Sequence, residues 1–229
     1  MRGIPGIVLQ ARLGSTRLPR KVLAPLAGRP LLEHCILRLR AAGVGPVVLA
    51  TTDAAEDDAL VDLAATLDVP VFRGSADDVL GRYIGAAVRY GLDPVIRATG
   101  DNPLVDSAAA GRLLPLFDRA GVDYACEVGL PVGAAVEAVR MEALIQVALL
   151  ASDPSDREHV TTFVKRRQDL FRVRMVPAPA ALRSPALRLT VDTADDLAHV
   201  RALVDATGHD MPALGQVLAI AAARQREVA

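Results

Sequence analysis

Tryptophan is missing from this chain, and aromatic residues make up only 3% of its 229 positions. Unpaired bases are held by stacking on aromatic platforms, so the scarcity argues against a nucleic-acid-binding module. An excess of either charge is missing too. The 26 lysines and arginines against 27 aspartates and glutamates leave a net charge of -1. No global field therefore draws the protein to nucleic acid or to an anionic membrane, and any affinity for anions has to be local. The two cysteines, Cys35 and Cys126, lie far apart without metal-ligand spacing, which is the usage of buried thiols in a reducing cytosol. Apolar runs such as residues 211–223 fall short of the ~18 residues that suggest a membrane span. The start of the chain, with Arg2, Pro5 and Gly6 ahead of a short apolar run, lacks the core of a signal peptide. The expectation is a soluble, cytoplasmic protein without nucleic-acid or membrane partners.

What is present is a hydrophobic share of 52%, enough for a full core in one α/β domain spanning residues 1–229. From Gly6 to Glu127, short β-branched runs alternate with longer segments of helical period, the pattern of a mostly parallel sheet covered by helices. The strands are GIVLQ, PVVLATT, VPVFRG, PVIRATG and DYACEV. The intervening helices are residues 31–43, 57–67, 77–91 and 107–121. After Glu127 the rhythm changes. GLPVGAAVEAV predicts a glycine-turned β excursion, and helices are predicted near residues 140–150 and 158–167, so residues 128–168 form a small β/α insert or lid. LFRVRMV and LRLTVD predict two more strands, followed by a helix over residues 193–207 and an alanine-rich closing helix.

Ligands of open parallel sheets bind beyond the carboxyl ends of the strands. The first such loop, ARLGSTRLPRK, holds Arg12, Arg17, Arg20 and Lys21 and no acid. Gly14, Ser15 and Thr16 let backbone approach a ligand closely, and Pro19 stiffens the exit. It matches neither the P-loop pattern nor a dinucleotide fingerprint, yet its composition suits a polyanion such as a chain of phosphates. Two later loops end in acids. TGDNPL carries Asp101 just past Arg97 and Thr99, and TVD carries Asp192. Thr193 with Asp196 makes a capping box, which leaves Asp192 free for other use. Two carboxylates opposite a cationic loop describe a magnesium site for a nucleoside triphosphate. Ser75 with Asp78 reads as another capping box. Arg157, Glu158, His159 and Thr162 fall on the first turns of one helix, with His159 and Thr162 on a shared face. His34, His199 and His209 read as structural.

These blocks, QARLGSTRLP with Lys21, LATTD, VFRGSADDVLGRY, RATGDNPLVD, SDREHVTTF and LTVDTADDLAHVR, resemble in order the cytidylyltransferases that make CMP-activated sugars. That family includes the CMP-Kdo and acylneuraminate synthetases, and the likeness is greatest to the spore-coat polysaccharide branch. The resemblance implies a Rossmann-like nucleotidyltransferase domain, a magnesium ion, CTP as donor, a sugar or sugar-acid acceptor, and a homodimer joined through the insert. It implies roles as well. Lys21 and Arg17 are catalytic. Ala11, Arg12, Gly14, Ser15, Lys21, Ser75 and Thr99 bind the nucleotide. Asp101 and Asp192 hold the metal, and Glu137 and His159 face the acceptor. Two departures stand out: Arg20 replaces a glycine usual in the branch, and Val132 and Ala135 stand where acids are usual.

The implied reaction is nucleotidyl transfer, in which an acceptor hydroxyl displaces pyrophosphate from CTP and the cationic loop offsets the growing charge. A glycosyltransferase is one alternative, although no D-x-D follows any assigned strand. A nucleotide-binding regulator without turnover is the other.

Overall fold

The computed structural model describes residues 3–118 and 121–228. Strand β1 (Ile4–Gln10) opens the chain, followed by a hairpin of β2 (Pro25–Leu26) and β3 (Arg29–Pro30) and by helix α1 (Leu31–Ala41). Next come β4 (Val47–Thr52), α2 (Asp58–Thr66), β5 (Val71–Gly74), α3 (Val79–Tyr90), β6 (Leu92–Thr99) and α4 (Ala109–Leu113). The second half holds β7 (Tyr124–Val128), β8 (Glu137–Val139), α5 (Met141–Leu150), α6 (Pro154–His159), α7 (Thr162–Arg166), β9 (Val173–Pro177), α8 (Ala194–Thr207) and α9 (Leu214–Val228). Among the described residues, no helix is long and apolar enough to cross a membrane.

Seven strands form one sheet in the order β5-β4-β1-β6-β8-β7-β9. All neighbouring pairs are parallel except those made by β8, which runs antiparallel to both β6 and β7. This is the mostly parallel sheet that the sequence pattern predicts, in the Rossmann-like arrangement that the resemblance implies. Central strands are buried on both faces, and so β1 and β4 are unbroken apolar runs rather than alternating ones. Alternate side chains divide between two layers. Ile7, Leu9, Leu49 and Ile96 pack with α1, α2 and α4, whereas Val8, Val48, Ala50 and Val95 pack with α3, α5 and α7. A third cluster joins α8, α9, the hairpin and the segment carrying Leu187, Leu189 and Val191.

Three local expectations change. LRLTVD is not a strand of the sheet: outside the named strands Arg188 makes an isolated bridge to Val132. Its alternation is real, but Leu187, Leu189 and Val191 bury themselves in the third cluster. Its backbone bonds to loops, with Leu189 N–H donating to Val132 O (2.7 Å) and Val191 N–H to Asp101 O (2.9 Å). The helix predicted over residues 107–121 stops at Leu113 and tightens into a 3-10 turn, Leu114–Leu116, because Pro115 cannot supply a helical N–H. Arg119 and Ala120, also included in that expectation, lie outside the described residues.

The helix predicted over residues 158–167 is two helices. α6 begins earlier, where Asp153 accepts from Ser155 N–H (2.8 Å) ahead of Pro154 at the first helical position. It breaks at Val160 (φ 59, ψ -54), where Thr161 N–H closes a γ-turn onto His159 O (2.6 Å). His159 and Thr162 therefore share no helix face. A β-branched residue at positive φ costs about 1–3 kcal/mol. The break gains burial of Val160 in the second core layer and a bond from Thr161 Oγ1 to Glu137 Oε2 (2.9 Å).

The glycine turn before β8 is tied to this layout. Gly133 has φ 93, and a Cβ there would lie 2.5 Å from the backbone nitrogen of Thr190. Gly43, with φ 64, has open space around the same position. Gly133→Ala is expected to destabilise the fold by about 2–4 kcal/mol, combining left-handed strain with a backbone collision. Gly43→Ala should cost about 1–2 kcal/mol from strain alone. Chemical denaturation of the two variants checks the difference.

Candidate functional site

The basic loop after β1 takes its shape from a carboxylate that lies outside it. Asp57, fully buried at the start of α2, accepts from Leu13 N–H (2.7 Å), Thr51 Oγ1 (3.0 Å), Thr52 N–H (3.2 Å) and Thr52 Oγ1 (2.5 Å). A buried charge needs such saturation. The loop then folds on itself, with Ser15 N–H and Arg20 N–H both donating to Leu13 O (2.7 and 3.3 Å). Arg20 is left-handed (φ 55, ψ 25) where it starts the short 3-10 turn Lys21–Leu23. The glycine that the resemblance leads one to expect at this position has a physical reason, because glycine adopts that conformation without strain.

Lys21 is the hub of the site. Its ammonium donates to Asp101 Oδ2 (2.9 Å) and to Asp192 Oδ1 (2.8 Å), joining positions separated by 80 and 171 residues. The Lys21 side chain is 12% exposed, against 26% for Asp101 and 19% for Asp192. Asp101 Oδ1 also accepts from Thr99 Oγ1 (2.7 Å), while Asp192 meets Arg17 (3.0 Å) and Arg188 (2.7 Å). Burial raises the Asp192 carboxyl, but the Lys21 hydrogen bond and charge, then Arg188 and Arg17, hold it below the usual range. As expected, the turn into α8 is capped by Thr193 and Asp196, which leaves the Asp192 carboxylate to the site.

These groups line a cavity of about 400 Å³, together with Ala11, Arg12, Gly14, Ser15, Arg97, Thr99, Glu158 and His159. The volume suits a small-molecule ligand. For a divalent cation, the acids joined through Lys21 are two, Asp101 and Asp192, and among the described residues no group of three or more histidine, cysteine or acidic side chains is arranged to hold a metal ion. Gln10, from the same lining, keeps its Oε1 buried without a hydrogen-bond partner. Magnesium is commonly held by one or two carboxylates with substrate phosphates completing its shell, so this donor set fits it.

Glu137 lies elsewhere, in a second cavity of about 260 Å³ that shares Arg97 and Thr99 with the first. Its carboxylate accepts from Arg97 (2.8 Å), Lys165 (2.9 Å), Tyr124 Oη (2.5 Å) and Thr161 Oγ1 (2.9 Å). Burial alone would raise its pKa, yet Arg97, Lys165 and the Tyr124 hydroxyl hold it down at about 2. Of the two acid-to-apolar departures, Ala135 lines this cavity, whereas Val132 is half exposed beside Arg188.

Most of the expected site residues therefore meet in one place: Ala11, Arg12, Gly14, Ser15, Arg17, Lys21, Thr99, Asp101, His159 and Asp192. Glu137 faces the adjoining cavity. Ser75 lines neither of these two cavities. Its expected capping box is absent: Asp78 is itself the N-cap of α3, accepting from Gly81 N–H (2.8 Å), and Ser75 Oγ accepts from Asp77 N–H (3.3 Å). Asp78 takes this position because its carboxylate also receives Arg157 of α6 (2.6 and 3.1 Å), which ties α6 to the turn after β5. Sequence reasoning missed Asp57 and Arg97 as positioning groups. The doublet Thr51–Thr52 a few residues before an acid was the available signal for Asp57, and the register of Arg97, two residues inside the strand end at Thr99, was that for Arg97.

Comparison with known proteins bears on this geometry. The profile of a family described as cytidylyltransferase matches residues 6–220. The chain is 35% identical to the spore coat polysaccharide biosynthesis protein SpsF of Bacillus subtilis, over 88% of this chain and 86% of that one. It is 32% identical to a 3-deoxy-manno-octulosonate cytidylyltransferase of Rhodospirillum centenum, over 92% and 97% of the two chains. Its structure superimposes on that of a cytidylyltransferase from Leptospira borgpetersenii with a TM-score of 0.89 at 27% identity, covering 96% and 94%.

Two measurements test the local physics. Glu137 has an ordinary pKa of 4.5 and a folded value of about 2, so its contribution is complete above pH 4.5 and is lost as pH falls through 2. Unfolding free energies of wild type and Glu137→Gln should differ by on the order of 3 kcal/mol near neutral pH and converge as the pH is lowered. Arg20→Gly should leave the melting temperature unchanged or raise it slightly, relief of about 1–2 kcal/mol of left-handed strain offsetting the entropy glycine adds to the unfolded chain.

Proposed function

The chain belongs to the cytidylyltransferase family, and from that premise we propose that it transfers CMP from CTP to a hydroxyl of a sugar or sugar acid, releasing pyrophosphate. The observation that carries the reading is the convergence of Lys21, Asp101 and Asp192 from three loops at the carboxyl ends of the sheet, beside Arg12 and Arg17. Transfer of a phosphoryl centre asks the protein mainly for positioning and for cations where charge builds up. Arg12 and Arg17 receive the triphosphate, and the small residues 14–16 let it approach the backbone. Lys21 stabilises the phosphate oxygens as the bond to pyrophosphate breaks. Asp101 and Asp192 would hold magnesium, which when bound neutralises phosphate charge. His159 and the Glu137 cavity lie on the acceptor side, with Arg97 between the two cavities.

The reaction balances simply. The acceptor oxygen bonds to the α-phosphorus, the bond to the bridging oxygen of the leaving group breaks, and the hydroxyl proton passes to solvent or a cavity base. The likeness to a spore-coat polysaccharide protein and to a sugar-acid cytidylyltransferase supports a place in cell-surface polysaccharide synthesis.

Incubation with CTP, magnesium and a panel of acidic and neutral sugars, with pyrophosphate detection, tests the proposal. CTP is expected to be preferred over ATP, GTP and UTP. Consumption of a nucleotide sugar without pyrophosphate would instead mark a glycosyltransferase, and tight CTP binding without turnover on any sugar a regulator. Lys21→Ala should lower turnover on the order of 10²-fold while weakening CTP binding far less, because its charge matters most in the transition state. Calorimetry alongside steady-state kinetics separates the two effects.

A further inference from the structure

We propose that Lys21 is an internal counter-ion that keeps divalent metal out of the free protein, so that metal enters the site only together with the triphosphate. The inference rests on the reading of Asp101 and Asp192 as the magnesium carboxylates. Its starting point is how fully those carboxylates are already engaged. Lys21 Nζ lies 2.9 Å from Asp101 Oδ2 and 2.8 Å from Asp192 Oδ1, in the space between them. The second oxygen of each acid is taken as well, Asp101 Oδ1 by the Thr99 hydroxyl (2.7 Å) and Asp192 Oδ2 by Arg188 (2.7 Å). A metal ion needs lone pairs directed at it, and every carboxylate oxygen here already faces a donor.

Charge points the same way. Asp101 and Asp192 are already balanced by Lys21 and Arg17, and Arg188 is shared between Asp192 and Asp196, so the cluster carries no net negative charge before any metal arrives. A divalent ion added alone would find no negative excess to enter and would meet the Lys21 ammonium at close range, in a partly buried site where repulsion is poorly screened. Two acids also supply too few ligands for an ion that gives up its water reluctantly. A triphosphate reverses both conditions. Its negative charges outbid the carboxylates for the Lys21 ammonium, a point charge on a flexible four-carbon stem. Its oxygens then fill the metal's shell. The backbone of Lys21 stays fixed meanwhile, because its N–H donates to Leu18 O (3.2 Å) and its carbonyl accepts from Ala24 N–H (2.9 Å). Only the side chain has to swing. The consequence is an interlock: metal without nucleotide finds the site filled by an ammonium, and nucleotide binding opens it.

Manganese, followed through water-proton relaxation, is the probe. Without nucleotide, wild type should show no more than weak protein-bound manganese, whereas Lys21→Met and Lys21→Gln should bind it more tightly by roughly tenfold or more, as removal of a close like charge predicts. Circular dichroism identifies which variant is folded, and two substitutions guard against the loss of one. Adding CTP to wild type should raise protein-bound manganese well above that in the free protein. Asp101→Asn in the Lys21→Met background should cancel the gain. If free wild type binds manganese as tightly as the lysine variants, while Asp101→Asn and Asp192→Asn still weaken binding with CTP, the interlock is wrong and the metal reading stands. If the two asparagine variants leave manganese binding with CTP at the wild-type level, the metal reading falls and takes the interlock with it.

Discussion

Four cations on one short loop repel one another, and the loop keeps its course because its backbone is fastened to a buried carboxylate outside it. Asp57 fixes Leu13 to the end of β4 through four hydrogen bonds to its two oxygens. From that fixed point the chain turns through Arg20 and presents Lys21 to the acids after β6 and before α8. The order of dependence matters. The start of the loop is held by a neutral backbone donor and a saturated acid, while the ion pairs of Arg17 and Lys21 with Asp101 and Asp192 join its far end to the other two loops.

The fold was legible wherever sequence and burial share a period. β1 and β4 are unbroken apolar runs because they are buried on both faces, and the helices of the first half show their apolar faces directly. Asp101 was legible because ligand sites of open sheets lie beyond strand ends, and Asp192 because the capping pair Thr193 and Asp196 leaves it spare, although the segment before it is no strand. What escaped depends on contacts between distant residues. LRLTVD has a strand's alternation but buries it against α8, α9 and the hairpin. The break at Val160 leaves no mark in a sequence that reads as helix, since it is enforced by burial of Val160 and by Glu137. Ser75 lost its expected cap because Arg157, 82 positions later, engages Asp78 instead.

Arg97 marks the division between what is general and what is particular in this site. On one side lie the loop, the lysine and the two acids. On the other, Arg97 bonds to Glu137, whose remaining partners come from β7 and from the residues around α7. The strained turn at Val160 serves both sides, since His159 lines the first cavity and Thr161 binds the acid of the second. Changes in the second cavity, which Ala135 lines, can therefore alter its shape and charge without disturbing the basic loop.

The antiparallel strand in the middle of the sheet also governs the order in which the molecule can assemble. β7 and β9 are hydrogen-bonded to the other strands only through β8, which contributes three residues to each ladder. A nascent chain can pair β1, β4, β5 and β6 as soon as residue 99 is available, but the last two strands stay unattached until residues 137–139 have slotted between β6 and β7. Without β8 in place the sheet would keep an open β6 edge, and strand edges are where partly folded chains associate wrongly. Closing that edge is thus a kinetic task assigned to three residues, one of which is Glu137. The residue that organises the second cavity also sits in the strand that completes the sheet.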